Sequence, residues 1–205
     1  MMKIVDKFLP PHCYTAENTV KKRICLHHTV STPLSIAGDV ATWSASRNIA
    51  THYIIGGDGT VFRTIPDNYW AHHLGLKTAN NLQLNKETIG IELDAWGILK
   101  PAGNGFLNAY GKPFDKTLPV EELDKAFRGS RFYQEYSQAQ IDSLQVLLQL
   151  LSVDYKLPLQ GLNKSLNFEL LSDFTKPGIY SHSNFRADKS DAYPARRLVS
   201  MLKRL

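Results

Sequence analysis

Residues 180–194 read YSHSNFRADKSDAYP and place His182, Lys189 and Asp191 in one short segment. Far upstream, RICLHHT carries His27 and His28, and TIGIELD carries Glu92. Two imidazoles, a carboxylate, a spare carboxylate and an ammonium are the components of a water-activating metal site. A catalytic zinc takes three protein ligands from N, O or S donors and keeps a fourth position open. His27, His182 and Asp191 would fill the three places. Such a metal lowers the pKa of water towards neutrality and polarises a carbonyl oxygen. Amide hydrolysis also needs a base for the water and a proton for the departing amine, and Glu92 could serve both steps. Lys189 could set a fixed positive charge beside a developing oxyanion.

Each residue has a plainer reading. Glu92 could lie on a solvated strand face, and His27 could be a hydrogen-bonded structural histidine. Periodicity does not separate His27 from His28. Cys25, two residues before His27, is by type a small buried hydrophobe before it is a ligand. Lys189 could be a surface lysine. No HExxH metalloprotease helix, P-loop, dinucleotide fingerprint or G-x-S-x-G elbow occurs.

These residues need elements to position them. Residues 23–29 are strand-like. Ser35 can cap a helix with Ile36, Val40 and Trp43 on one face. Residues 51–65 form two β-rich runs around Gly57-Asp58-Gly59, a hairpin signal. Residues 88–94 alternate: Ile89, Ile91 and Leu93 share one face, and Gly90, Glu92 and Asp94 the other. Ser137 and Gln140 make a capping box before Ile141, Leu144, Leu147, Leu148 and Leu151. Pro194 suits the first turn of a last helix carrying Leu198, Leu202 and Leu205. Residues 1–22 read as an irregular lead-in. Residues 97–136, rich in Gly, Pro and aromatics without a period, read as a long excursion of the kind that shapes binding sites. The order predicts an α/β fold, a mixed central β-sheet flanked by α-helices, with residues 1–205 forming a single catalytic domain.

Composition narrows the function classes. At 205 residues the chain can bury a full core without metal or disulfide staples. No apolar run approaches the roughly 20 residues of a membrane helix, so no membrane insertion is expected. Asp6, Pro10 and Pro11 interrupt the N-terminus, and no secretory leader is read there, which points to a cytoplasmic origin. Cys13 and Cys25 make no disulfide framework. With 24 Lys+Arg against 19 Asp+Glu the net charge is +5, a mild preference for anionic surfaces. The basic residues are scattered, so nucleic acid is not the expected partner.

Taken in order, ICLHHT, ATHYIIGGDGTV, WAHHLG, TIGIELD, the Gln-containing helix after Tyr136 and SHSNFRADKSD resemble the zinc-dependent N-acetylmuramoyl-L-alanine amidases. These share a fold with peptidoglycan recognition proteins and phage lysozyme-amidases. The resemblance runs from Arg23 to Leu205. It implies Zn2+ held by His27 (the first histidine of HHT, rather than His28), His182 and Asp191, in the branch that uses Asp rather than Cys at the third position. It implies Glu92 as general base and Lys189 as the lysine of the K-x-D motif. His73 matches a groove-lining position and His52 a structural one. Trp43, Trp70 and Trp96 are candidates for contact with sugar or peptide, with core packing as their alternative. Thr51 stands where some relatives carry a catalytic tyrosine, which leaves more acid–base work to Glu92.

The implied reaction is hydrolysis of the amide between the lactyl group of N-acetylmuramic acid and L-alanine in peptidoglycan. The expected setting is a monomeric phage endolysin acting on the bacterial cell wall after release by a holin. The alternatives are a cytoplasmic muropeptide-recycling amidase, a non-catalytic muropeptide recognition module, and a zinc hydrolase of another substrate.

Overall fold

A computed structural model describes residues 2–205. Six strands form the central sheet: β1 (Ile4–Asp6), β2 (Arg23–His28), β3 (Tyr53–Ile55), β4 (Val61–Arg63), β5 (Thr88–Leu93) and β10 (Gly178–Ser181). Their spatial order is β1-β4-β3-β5-β2-β10. Only β3 and β4, the expected hairpin, run antiparallel; the other neighbours are parallel. The sheet is therefore mixed, and helices cover it.

The alternation in β2 and β5 divides the packing. Ile24, Leu26, Ile89, Ile91 and Leu93 share a buried cluster with Leu144, Leu147, Leu148 and Leu151 of α3 (Gln138–Tyr155) and with Leu198, Met201 and Leu202 of α6 (Arg196–Leu202). Burial of each such side chain is worth about 1.5–3 kcal/mol, so this face anchors the sheet. Cys25 and Tyr180 belong to a second cluster, with Leu74, Phe185 and Leu84 of α2 (Asn81–Lys86).

The capping box of α3 is present: Gln140 N–H donates to Ser137 Oγ at 3.0 Å and Ser137 N–H to Gln140 Oε1 at 2.9 Å. The Gln140 amide then donates to Ile55 O and Asp94 O, tying the helix start to the ends of β3 and β5. α1 (Ile36–Ser44) follows Ser35 as expected, although Ser35 makes no side-chain cap bond.

Three expectations need correction. The lead-in is not wholly irregular, because β1 joins the sheet edge beside β4. The excursion holds four strands in two hairpins, β6 (Lys100–Ala102) with β7 (Gly105–Leu107) and β8 (Val120–Phe127) with β9 (Ser130–Gln134). The last helix starts at Arg196 rather than at Pro194, because Glu121 Oε1 from β8 accepts the Arg196 N–H at 2.8 Å and caps it there. Short helices α4 (Leu162–Ser165) and α5 (His182–Phe185) flank β10.

Candidate active site

Strand register brings the distant residues together. His27 of β2 lies level with Glu92 of β5. On the other side Ser181 of β10 lies level with Leu26, which brings His182, the next residue, up to His27. All three sit at the carboxyl ends of parallel strands, where open α/β sheets place their ligands. Ser181 and Asn184 form a capping box that starts α5 at His182. The following loop returns Asp191, held by Ser183 N–H donating to Asp191 O at 2.8 Å and by Ala192 N–H donating to Leu26 O at 3.2 Å.

Nδ1 of His27 lies 3.1 Å from Nδ1 of His182 and 3.1 Å from Asp191 Oδ2, and Nδ1 of His182 lies 2.8 Å from the same oxygen. The far side of each ring assigns its proton. Nε2 of His182 is 3.0 Å from Leu74 O, a pure acceptor, so Nε2 donates and Nδ1 keeps a lone pair. Nε2 of His73 likewise donates to Thr88 O at 3.3 Å, leaving its Nδ1 to accept from Nε2 of His27 at 3.0 Å. Nδ1 of His27 therefore also presents a lone pair. Two lone pairs and a carboxylate oxygen converge with no proton among them, an arrangement that suits a cation. A tetrahedral metal with bonds of about 2.0–2.1 Å has ligand–ligand edges of roughly 3.3 Å, close to the observed spacings. His27, His182 and Asp191 could hold a divalent metal; Cys25, His27 and His73 form a second, overlapping cluster of donors.

The electrostatics of His27 agree with this assignment. Burial lowers the His27 pKa to about 4, with His182 adding to the fall and Asp191 opposing it, so His27 is neutral near pH 7. Burial alone would push Asp191 up; the depressed value it takes instead depends on positive charge and N–H donors at the His182 and His27 face, the place a bound cation would fill once both Nδ1 atoms present lone pairs. Burial raises Glu92 well above its ordinary value, with Asp191 and Asp39 adding to the rise and Lys189 opposing it. Lys189 is thus within electrostatic reach of both Glu92 and His27.

Glu92 is buried, contrary to a solvated strand face, and its Oε2 has no hydrogen-bond partner. It lines a cleft of 380 Å³ together with Trp43, Trp96, Asp39 and Tyr110. The excursion supplies part of this wall, anchored where Trp96 N–H donates to Gln134 Oε1 and where Tyr133 stacks on Tyr193 with ring centroids 4.2 Å apart.

Other sequence candidates lie elsewhere. His28 turns to the opposite face of β2, with Nδ1 3.1 Å from the Tyr136 hydroxyl. Trp70 is not brought to the cleft: it is buried, its Nε1–H donates to Glu17, and Lys86 Nζ sits 5.4 Å over its ring. His73 is not among the cleft's lining residues and lies against His27. His52 is fully buried, with Nε2 bonded to Tyr69 O and Nδ1 accepting Gly90 N–H. Thr51 packs at Gly90, where an added Cβ would come within 2.8 Å of its methyl. Sequence reasoning missed Asp39 and Tyr110. Asp39 is one acidic residue on an amphipathic helix, and no local signal separates it from a solvated one.

The profile of the N-acetylmuramoyl-L-alanine amidase family matches residues 17–194. The chain belongs to this family. The amidase matched none of the curated proteins searched. Among solved structures it is similar to PlyL (13% identity, 93% of this chain and 86% of that one, TM-score 0.55). It is also similar to a mutant endolysin from Bacillus subtilis (16%, 94% and 90%, TM-score 0.54). A third likeness is to the N-acetylmuramoyl-L-alanine amidase LysC from Clostridium intestinale (16%, 94% and 89%, TM-score 0.50). At these identities the likeness is one of fold. The family reaction, hydrolysis of the amide that joins N-acetylmuramic acid to L-alanine, is the chemistry the site has to perform.

Proposed function

We propose that the amidase is a zinc hydrolase of peptidoglycan, with His27, His182 and Asp191 as metal ligands, Glu92 as general base and acid, and Lys189 as an oxyanion partner. The observation that carries this reading is the convergence of two imidazole lone pairs and Asp191 Oδ2 within 3.1 Å of one another, on the strand ends that also carry Glu92. When bound, zinc supplies Lewis acidity, polarising a carbonyl oxygen and bringing the pKa of water towards neutrality.

The chain's own residues do the rest. Glu92, held above the usual carboxylate range, can take the proton of the attacking water and return it to the alanine nitrogen as the C–N bond breaks. Lys189 brings positive charge towards the lactyl oxygen as negative charge grows on it. His73 orients His27. Trp43 and Trp96, lining the cleft with Glu92, are the aromatic contacts for substrate.

The 1–205 span acts as one catalytic domain in this reading, and the protein works as a monomeric endolysin on the cell wall. Support for an endolysin setting comes from the endolysin among its structural relatives. Purified peptidoglycan digested by the zinc-loaded protein, with and without chelator, tests the function. New alanine amino termini without new reducing ends, lost on chelation, are the expected products. Retained binding without cleavage would make it a recognition module. Cleavage confined to soluble muropeptides would make it a recycling enzyme.

A further inference from the structure

The cleft beside Glu92 contains more acid than the hydrolysis needs. Asp39, from the first turn of α1, lines it and is 8% exposed, as is Glu92. Asp39 Oδ2, Glu92 Oε2 and Asp94 Oδ2 are all buried without a hydrogen-bond partner. The other Asp94 oxygen is occupied, accepting from Thr29 Oγ1 at 2.9 Å and Ser31 Oγ at 2.8 Å. The three carboxyls repel one another: after burial itself, Asp39 contributes to the raised values of both Glu92 and Asp94. None of the residues lining the cleft is a lysine or arginine. Buried carboxylates are ordinarily paired, so this cleft is complementary to a positive charge that arrives with a ligand.

The shape of the cluster indicates which kind of cation. Among the described residues the donors of Asp39, Asp94 and Glu92 do not converge as those of His27, His182 and Asp191 do. They do not form a cage for one inorganic ion. Trp43 and Trp96 line the same cleft, and aromatic rings attract an organic ammonium. A sugar hydroxyl would hydrogen-bond to these carboxyls in the neutral form that burial favours, whereas an ammonium would also stabilise their charged form.

The reaction itself makes such a group. The water oxygen bonds to the lactyl carbonyl carbon, the C–N bond breaks, and both water protons end on the nitrogen. The products are a lactyl carboxylate and a primary ammonium, so charge and atoms balance without a further reactant. The protons that Glu92 relays turn the alanine nitrogen into an ammonium beside the cleft. A stem peptide with a diamino acid carries a second primary ammonium on its side chain.

We infer that the cleft is a subsite for a primary ammonium group on the peptide half of the substrate, with Asp39 as a binding residue and a determinant of specificity. The inference rests on the amidase reading for the orientation of substrate, but its test is a binding measurement and does not require turnover.

The test is calorimetric titration of the metal-loaded full chain with the tripeptide L-Ala-γ-D-Glu-L-Lys and with its Nα-acetyl, Nε-acetyl and doubly acetylated forms. Double acetylation should weaken binding at least about tenfold, the scale expected when a buried charge loses its partner. The two singly acetylated peptides show whether the leaving α-ammonium or the side-chain ammonium is the one held. Asp39→Asn, which relieves repulsion and keeps the side chain's size, should bring the discrimination below about threefold. Equal binding of the four peptides by the wild type, no binding of any, or undiminished discrimination by Asp39→Asn would overturn the inference. Turnover of an intact muropeptide, assayed alongside, separates the two ideas: discrimination without turnover would overturn the amidase reading and leave the subsite standing.

Discussion

Nε2 of His27 lies 3.0 Å from Nδ1 of His73, and this contact decides which nitrogen of His27 faces His182 and Asp191. The His73 ring is itself committed by its bond to Thr88 O, and its backbone N–H donates to Asn85 Oδ1 at 2.8 Å. A ring fixed on both sides makes a good orienting partner for a metal ligand, and removing such partners costs about 10- to 100-fold in metal affinity. His73→Ala should fold and lose zinc affinity on that scale in a chelator competition. Unchanged affinity would remove His73 from the site.

Gly90 makes room for this arrangement. A Cβ there would meet the Thr51 methyl at 2.8 Å and His73 Nδ1 at 3.0 Å, inside a packed sheet. Gly90→Ala should therefore destabilise the fold by about 1–3 kcal/mol and weaken zinc binding with it. Denaturant midpoints and chelator competition on the same sample check both effects. A loss of stability with zinc affinity intact would show that Thr51 yields and His73 does not move.

Much of the site could be read from sequence because its residues sit in regular patterns. Alternation placed Glu92 opposite Ile89, Ile91 and Leu93, and the chain's return after His182 kept Lys189 and Asp191 close. His73 and Asp39 were harder. His73 lies in a segment without helix or strand and is positioned by Asn85 from α2, a six-residue helix with no strong period. The hairpins within 97–136 were hidden for a similar reason. Two of their four strands are three residues long, and the longer pair is pinned by tertiary contacts such as Tyr133 on Tyr193 and Tyr193 donating to Gln134 O. The final helix shows the limit of local signals most simply. Pro194 marks a helix start by type, but Glu121, a long-range partner, sets it two residues later.

Glu87 gives the fold a dependence on acid. Burial would raise its pKa, but hydrogen bonds from Lys22 at 2.5 Å, Arg23 at 2.6 Å and Gln83 at 2.7 Å outweigh burial and bring it from 4.5 down to about 2. Because the folded value is the lower one, the stabilisation is fully present above about pH 4.5 and is lost as pH falls through about 2. Its size is about 1–3 kcal/mol. The stability of the wild type minus that of Glu87→Gln, from urea unfolding, should shrink across this window. A difference independent of pH would show that the carboxylate is not held in its charged form.

Glu92 makes no hydrogen bond through its buried Oε2, so replacing it should disturb chemistry more than structure. Glu92→Gln keeps the shape and loses the proton carrier. We expect folded protein with zinc bound and release of alanine amino termini reduced by about 10²- to 10⁴-fold. Near-normal release would assign the proton transfers to another group.

The metal centre is tested most directly by zinc content after equilibrium dialysis of the wild type and of Asp191→Ala at the same free zinc concentration. Asp191 Oδ2 is the atom that both imidazoles face, so the wild type should retain one zinc per chain and the variant essentially none. A full equivalent of zinc in Asp191→Ala, with the fold intact, would contradict the account.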